Sequence, residues 1–570
     1  MEKRIVERPL PETGVKLAGL HPVLQRVYAA RGVRSHDELE LKLARLAQPR
    51  MGGLARAAGL LADAIESGAS ILVVGDYDCD GATATALCLL ALRAMGAGRV
   101  DYLVPSRFDF GYGLTPGLVE VAARRQPDLI LTVDNGISSV AGVARARELG
   151  IQVVVTDHHL PGDQLPEADA IVDPNLPGDP FPAKGTAGVG VAFYLLTAVR
   201  AELRRRGWFA GRAAPTLAEW LDLVALGTVA DVVPLEYNNR ILVEQGLRRI
   251  RAGRCRPGLL ALLAAAGRDH RTLRASDLGF VLGPRINAAG RLDDISVGIE
   301  CLLAETLEAA RPLAEALDAH NRERRQIEAG MKEQALVSVA RLFDGDDPPW
   351  GLCLKHDDWH QGVVGLVASR IKERYQRPVV AFAPGDEGEL KGSARSIPGL
   401  HIRDALAEVV VRHPGLVTKF GGHAMAAGLS LYAEGFETFA RAFDAVVRHH
   451  LRPEDLEPVI VTDGAIEPGD LGLALALALE QAGPWGQGFP EPLFHGGFEV
   501  VHQRLLKDRH WKLVVRAQGG GDPLDAIAFN LAEQYPDAVP ERVRLVYQLE
   551  CNRFRGTIAP QLQVLYMERA

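Results

Sequence analysis

The sequence predicts a multidomain α/β protein: a parallel-sheet domain, a helical connector, a smaller α/β unit and an OB-like C-terminal β-barrel. Three observations predict it. Apolar β-type runs alternate with helical stretches from about residue 50 to 250. An Ala-, Leu-, Arg- and Glu-rich segment follows to about 345. Beyond about 455, short runs of alternating polarity are separated by turn residues.

Residues 1–45 read as an N-terminal extension with helical spacing from about Pro22 to Leu46. Residues 46–250 form the first domain. Its runs are ILVV (71–74), VDYLV (100–104), LILTV (129–133), IQVVVT (151–156), AIV (170–172) and LVALGTV (223–229). Near-continuous apolar strands of this kind belong to parallel sheets covered on both faces. Residues 251–345 are the helical connector, and DGDDPPWG (344–351) reads as a linker. A second, smaller α/β unit spans 346–452. The barrel takes 453–570, with FEVV, WKLVVR, VRLVYQLE and QLQVLY as its strands.

At 570 residues the chain exceeds one ordinary domain, and 47% hydrophobic with 24% charged residues is a globular composition. No run approaches the roughly 18 apolar residues of a membrane span. MEKRIVERPLPETGVK has no apolar stretch behind its charges, so it does not read as a secretory signal. Six scattered cysteines (79, 88, 255, 301, 353, 551) form no CxxC pair, which suits a reducing cytoplasm. The net charge of −8 argues against a nucleic-acid coat protein. It leaves a nuclease open, because carboxylates that hold cations count as negative in a formal tally.

Four motifs of the first domain carry its chemistry, each read as lying at the end of an apolar run. They are GDYDCDG (75–81), DNG (134–136), DHH (157–159) and AD (230–231). Ligand sites of open parallel sheets form outside the carboxyl ends of the strands. One rim would then collect Asp76, Asp78, Asp80, Asp134, Asp157, His158, His159 and Asp231. So many carboxylates repel one another unless cations are present. Oxygen ligands with an imidazole and no thiolate favour Mn²⁺ or Mg²⁺. Two ions about 3.5–4 Å apart would suit phosphoester hydrolysis, with Asp134 or Asp80 as the bridge. The DxDxDG run also resembles the start of an EF-hand loop, but Leu87 stands where a bidentate Glu is needed. A single Asp after a strand is more often a helix cap; four together are not so explained.

These motifs, with TVADVVPL (228–235), resemble the motif series of the DHH phosphoesterase family. GPRINAAGRL (283–292), WHQGVVGLVASRI (359–371), GSARS (392–396) and GGHAMAAG (421–428) are similar to its single-strand-specific exonuclease branch, which carries a DHHA1 domain. The resemblance covers roughly residues 20–565. It implies a DHH domain, a DHHA1 domain and a metal-dependent 5′→3′ exodeoxyribonuclease of DNA repair and recombination. Alternatives within and outside that chemistry are a short-oligonucleotide or cyclic-dinucleotide phosphodiesterase and a non-catalytic single-strand-binding scaffold.

By resemblance, Asp78, Asp80, Asp134, His158 and Asp231 are metal ligands, and His159 sits beside the scissile phosphate. Asp76 and Asp157 orient them from behind. Many family members have a histidine shortly before the DxD pair, where this chain has Val74 and Gly75. Arg285, Ser393 and Arg395 would hold a 5′-phosphate, with Gly422 and His423 nearby. Arg107 and Tyr112 would grip nucleotides at the cleavage point, beside Phe108 and Phe110. In the barrel, Arg504, Lys507, Arg509, Lys512 and Arg516 surround Trp511, a basic and aromatic pattern suited to a single strand. A solvated strand face is the alternative. The resemblance also implies single-strand binding protein and a RecQ-type helicase as partners of a monomeric chain with no membrane attachment.

Overall fold

The computed structural model describes residues 3–11, 17–105, 111–343, 347–554 and 556–570. Arg107, Phe108 and Phe110 therefore lie outside the described residues, as do the first three residues of the expected linker. The chain divides into two compact units, residues 6–318 with 461–570, and residues 1–5 with 319–460.

The chain begins with β1 (Arg4–Glu7), α1 (Pro22–Ala29) and α2 (Leu54–Ser67). The helix expected over Pro22–Leu46 stops at Ala29. Gly32 takes a left-handed φ of 80° there, and two short 3₁₀ turns replace the rest.

The framework of the first domain is a parallel sheet of β2 (Ser70–Val74), β3 (Arg99–Leu103), β4 (Leu129–Val133), β5 (Gln152–Thr156) and β6 (Ala170–Val172) in the order β3-β2-β4-β5-β6. Helices α3 (Cys79–Met95), α4 (Pro116–Ala123) and α5 (Val140–Glu148) connect its strands. The order reverses between β2 and β4, so the crevice beyond their carboxyl ends is the topological switch point. GDYDCDG follows β2 and DNG follows β4, so both acidic motifs open onto that crevice.

Helices α6 (Gly188–Arg205), α7 (Leu221–Ala230), α8 (Tyr237–Arg251) and α9 (Pro257–Ala265) complete the domain. The run LVALGTV, expected to be a strand, lies in α7. Leu221 through Thr228 are all buried, so the segment has no polar face to reveal a helical period. Asp231 thus reaches the site from a helix C-terminus. A single turn α10 (Ala275–Asp277) and a π-helical turn (Leu278–Leu282) lead into α11 (Gly283–Leu292), α12 (Ser296–Leu303) and the 37-residue α13 (Leu307–Phe343).

The second unit holds β7 (Leu352–Lys355), α14 (Val364–Tyr375), β8 (Val379–Pro384), β9 (Glu389–Arg395), α15 (Ile402–Arg412), β10 (Lys419–Gly422), β11 (Ala426–Tyr432) and α16 (Phe436–His450). Its sheet runs β10-β11-β9-β8-β7, with only β7 and β8 parallel. Next come β12 (Val459–Thr462), which pairs with β1, and α17 (Leu473–Gln481). A closed barrel follows, formed by β13 (Phe494–Leu506), β14 (His510–Ala517), β15 (Leu524–Ala528), β16 (Arg542–Phe554) and β17 (Thr557–Arg569) in the order β13-β14-β15-β17-β16. Among the described residues, no helix is long and apolar enough to cross a membrane.

The barrel shares one continuous apolar core with the parallel-sheet domain. Tyr28 of α1 donates to Ala482 O at 2.8 Å and stacks on Trp485. The Arg31 guanidinium grips the Asp463 carboxylate through both oxygens at 2.6 and 2.9 Å, both side chains being about 1% exposed. Removing one member of such a buried pair leaves an uncompensated charge. We therefore expect Asp463→Ala to lower unfolding free energy by about 3–5 kcal/mol in urea titrations. A loss below about 1 kcal/mol would show the pair to be dispensable.

Candidate metal centre

The loop after β2 can turn as tightly as it does because it carries glycine at two crowded points. A Cβ on Gly75 would lie 2.2 Å from Thr85 Oγ1, and one on Gly81 only 2.6 Å from Asp76 O. Asp78 caps α3, its Oδ1 accepting from Gly81 N at 3.0 Å. Asp80 lies in the first turn of α3 and is buried. Its Oδ2 accepts from Gly188 N at 2.7 Å and its Oδ1 from Val189 N at 3.0 Å, the first amides of α6. Asp134 follows β4 in a left-handed conformation, φ 62°. Asn135 braces the two strand ends beside it, donating from Nδ2 to Val74 O and Val133 O at 3.0 and 2.9 Å.

His158 stands among these carboxylates. Its Nε2 is 3.1 Å from Asp134 Oδ1, 3.5 Å from Asp231 Oδ2 and 4.0 Å from Asp80 Oδ2. Three groups of donor atoms are compact enough to hold a cation: Asp76–Asp78–Asp134, Asp80–His158–Asp231, and Asp134–His158–His159. Asp134 is common to the first and third, and His158 to the second and third. The structure thus places Asp76 beside Asp78 and Asp134 as a possible ligand, rather than behind them.

The electrostatics favour a cation. Burial first, then Asp231 and Asp78, pushes the Asp80 carboxyl well above the usual range. Burial first, then Asp80 and Asp78, does the same to Asp134. Asp231 is pushed up to about 7 by burial and by Asp78. Asp134 Oδ1 is buried and accepts no hydrogen bond among the described residues. A donor set of carboxylate oxygens with one or two imidazoles fits Mn²⁺ or Mg²⁺, and binding either one reverses the penalty for ionising these acids.

Asp157 is fully buried and serves the histidines. Its Oδ1 accepts from His158 N (2.8 Å), His159 N (3.1 Å) and His159 Nδ1 (2.7 Å), and its Oδ2 from Ile137 N (2.9 Å). Burial opposes its ionisation, but His159 and the Ile137 amide outweigh that and leave its pKa lowered. Burial likewise opposes protonation of His159, yet Asp157 raises it to about 9. The Tyr112 hydroxyl lies 3.1 Å from His159 Nδ1 and donates to Asp134 O at 3.2 Å. Its ring is 44% exposed beside His159.

The expected phosphate and strand contacts fall in several places. In the second unit, the Arg395 guanidinium donates from Nη1 to Ser393 Oγ at 2.9 Å and to Ala394 O at 2.8 Å. A Cβ on Gly365, in the first turn of α14, would lie 2.7 Å from Arg395 Nη2 and 2.8 Å from Ser393 Oγ. Ala426 pairs with Arg395 across the sheet, and His423 N donates to Ala426 O, so the Gly422–His423 turn adjoins them. Arg285 belongs to the other unit. It is buried and already engaged, with Nε and Nη2 at 3.0 and 2.8 Å from Asp318 Oδ1 and Nη1 donating to Val281 O.

The barrel corrects one expectation outright. Trp511 is 4% exposed, and its Nε1 donates to Tyr535 O at 3.0 Å, so it fills the core and presents no face to a base. The strand alternation of β14 turns it inward and Lys512 outward, where Lys512 pairs with Asp525 at 2.7 Å. Lys507 and Arg509 are exposed at the β13–β14 hairpin.

Several site residues are absent from the sequence expectation. Asn287 Oδ1 accepts from Cys79 N at 2.7 Å, which fixes the acidic loop from α11. A Cβ on Gly188 would lie 2.5 Å from Asp134 Oδ1, and one on Gly227 would lie 2.7 Å from Asp80 Oδ1. The glycines of α6 and α7 were the available signal, since each costs helix stability unless a close approach requires it.

A switch-point crevice lined by acids and histidines defines a metal-centred phosphoesterase-type domain. Residues 70–228 match the DHH family N-terminal domain, 337–449 the DHHA1 domain and 462–566 the RecJ OB domain. The chain is 54% identical to the single-stranded-DNA-specific exonuclease RecJ of Escherichia coli K12, over 97% of both chains. It is 50% identical to that of Haemophilus influenzae, over 100% of this chain and 99% of the relative. The crystal structure of RecJ in complex with Mn²⁺ from Thermus thermophilus superposes with a TM-score of 0.81 at 32% identity, covering 100% of this chain and 79% of that one. Its counterpart in complex with Mg²⁺ gives 0.76 at 30% identity, covering 100% and 78%. The chain belongs to the RecJ family of single-stranded-DNA-specific exonucleases.

The helix contacts generate a test. Gly188→Ala and Gly227→Ala place a methyl group against Asp134 and Asp80 respectively. Each is expected to weaken divalent-cation binding about tenfold or more in calorimetric titration, with far-ultraviolet circular dichroism unchanged. Unaltered affinity would show that the crevice yields to the methyl group.

Proposed function

We propose that this chain is a metal-dependent exonuclease that degrades single-stranded DNA from its 5′ end and releases mononucleotides. The observation that carries the reading is the overlap of three ligand groups through Asp134 and His158 in the switch-point crevice. Asp76, Asp78 and Asp134 would hold one ion, and Asp80, His158 and Asp231 a second, the third group sharing Asp134 with the first and His158 with the second. Bound Mn²⁺ or Mg²⁺ supplies a water made nucleophilic near neutral pH and charge compensation for the leaving oxygen.

The chain's own residues do the rest. Asp157 holds His159 by Nδ1 and so fixes the ring where a phosphate or a departing oxygen would meet it. Asp157 favours the protonated form of His159, which can neutralise charge that develops there. The Tyr112 ring, half-exposed at the same point, offers a base a stacking face. Ser393 and Arg395 of β9, beside Gly365 in the first turn of α14, suit a terminal phosphate, the planar guanidinium being the better partner for a monoester. Single-strand binding protein and a RecQ-type helicase are partners suited to this activity, since each supplies exposed single strand. DNA repair and recombination in the cytoplasm are its proposed setting.

The test is release of mononucleotides from a 5′-labelled single strand with and without Mn²⁺, alongside a 3′-labelled strand and a blunt duplex. We expect metal-dependent loss of the 5′ nucleotide from the single strand only. Asp134→Ala should reduce the rate about a thousandfold or more, roughly 4 kcal/mol of transition-state stabilisation. Degradation of blunt duplex, or cleavage confined to di- and trinucleotides, would overturn the reading. In the same assay, Arg395→Ala should raise KM for a 5′-phosphorylated strand about tenfold while leaving a 5′-hydroxyl strand unchanged. Equal effects on both strands would remove Arg395 from the phosphate pocket.

A further inference from the structure

We infer that Asn175 is a positioning residue for the metal centre. Its side-chain amide fixes the backbone that presents His158 and ties it to the loop running into the helix that holds Asp80. The inference rests on the function proposed above.

β6 ends at Val172, and Asp173-Pro174-Asn175 turns the chain. Asp173 is fully buried, and its Oδ1 accepts from Asn175 N at 2.7 Å, an Asx-type turn that sets the direction of the Asn175 side chain. From there Asn175 Nδ2 donates to His158 O at 2.6 Å and reaches Lys184 O at 3.3 Å. Lys184 answers in the opposite sense, its Nζ donating to Pro174 O and to Asp179 O. The two ends of this β6–α6 loop therefore clasp each other from both sides.

The clasp leads to a site residue on each side. Asp157 Oδ1 holds His158 by its amide at 2.8 Å, and Asn175 holds the same residue by its carbonyl. Four residues after Lys184, the amides of Gly188 and Val189 receive Asp80. One side-chain amide thus sets the spacing between His158 and Asp80, two of the three donors in the Asp80–His158–Asp231 group. A shift of the His158 peptide swings the imidazole relative to Asp134 and Asp231, and groups that orient ligands are worth about ten- to a hundredfold in metal affinity.

The experiment is Mn²⁺ titration of the full chain, read by the electron paramagnetic resonance of free Mn²⁺. The variants are Asn175→Asp, Asn175→Ala, His158→Ala and the Asn175→Asp/His158→Ala pair, with thermal unfolding measured for each. Asn175→Asp keeps the side chain's size and replaces the donor by an acceptor facing two carbonyls. We expect it to weaken one class of Mn²⁺ site about ten- to a hundredfold. The exonuclease activation curve should shift by the same factor, with a plateau near wild type at high Mn²⁺. Asn175→Ala should act in the same direction and serves if the aspartate folds poorly. On His158→Ala, the Asn175 substitution should add nothing, because its effect passes through that residue. Unchanged Mn²⁺ affinity, or a fully additive loss on His158→Ala, overturns the inference. So does a variant that only melts earlier with its affinity intact, which would make Asn175 a loop staple. A wild-type chain that binds no Mn²⁺ would instead sink the proposed function, so the two failures are distinguishable.

Discussion

Mutual repulsion of carboxylates packed into one crevice is the constraint on which the rest of this structure depends. Asp76, Asp80 and Asp134 are all buried, and Asp231 lies close by. The fold makes this tolerable with backbone amides. Asp78 caps α3, and Asp80 receives the first two amides of α6, so two helix N-termini direct partial positive charge at the acids. Two helices can come so close to these acids only because Gly188 and Gly227 stand at the contacts. The compensation is incomplete, as the raised carboxyls show. That remainder favours cations in the crevice.

The two adjacent histidines have different surroundings and therefore different work. His158 points into the carboxylates, and its backbone is held at both ends. His159 is hydrogen-bonded to Asp157, a carboxylate whose oxygens are occupied by backbone amides and by the His159 ring. Asp157 is thus spent on orientation and charge, and it shifts His159 toward the protonated form. The two neighbours differ because His158 faces buried acids and His159 faces one whose oxygens are already saturated.

Much of this was legible in the sequence. Buried parallel strands leave continuous apolar runs, and acids directly after such runs mark the carboxyl edge of a sheet; β2, β4 and β5 with their motifs were readable on that basis. Fully buried α7 was not, because a helix apolar on every side shows no 3.6-residue period. Nor could Trp511 be placed, since an aromatic among basic residues looks the same whether it faces a base or the barrel core. Arg285 shows the converse: a motif arginine whose partner, Asp318, lies 33 residues away and was invisible until the chain folded. The asparagines that brace the centre, Asn135 and Asn287, act through backbone groups brought near by tertiary packing, and a sequence carries no mark of such contacts.

The barrel's place in the molecule follows from its core. A domain that merely tethered nucleic acid could hang from a linker, with its own apolar centre and a polar junction. Here the core of the barrel runs without a break into that of the catalytic domain, through Trp485, Phe489 and Tyr28. Arg31 and Asp463 lock the N-terminal helix to the segment leading into the barrel. Arg274, following the domain's last helices, pairs with Glu550 of β16 and Glu480 of α17 at 2.8 and 3.1 Å. Chain ends hundreds of residues apart are thus parts of one cooperative unit. The exposed basic hairpin at Lys507 and Arg509 is consequently carried at a fixed place relative to the metal centre. Hairpin and crevice are thus parts of one compact unit, joined by packed apolar residues rather than by a polar junction.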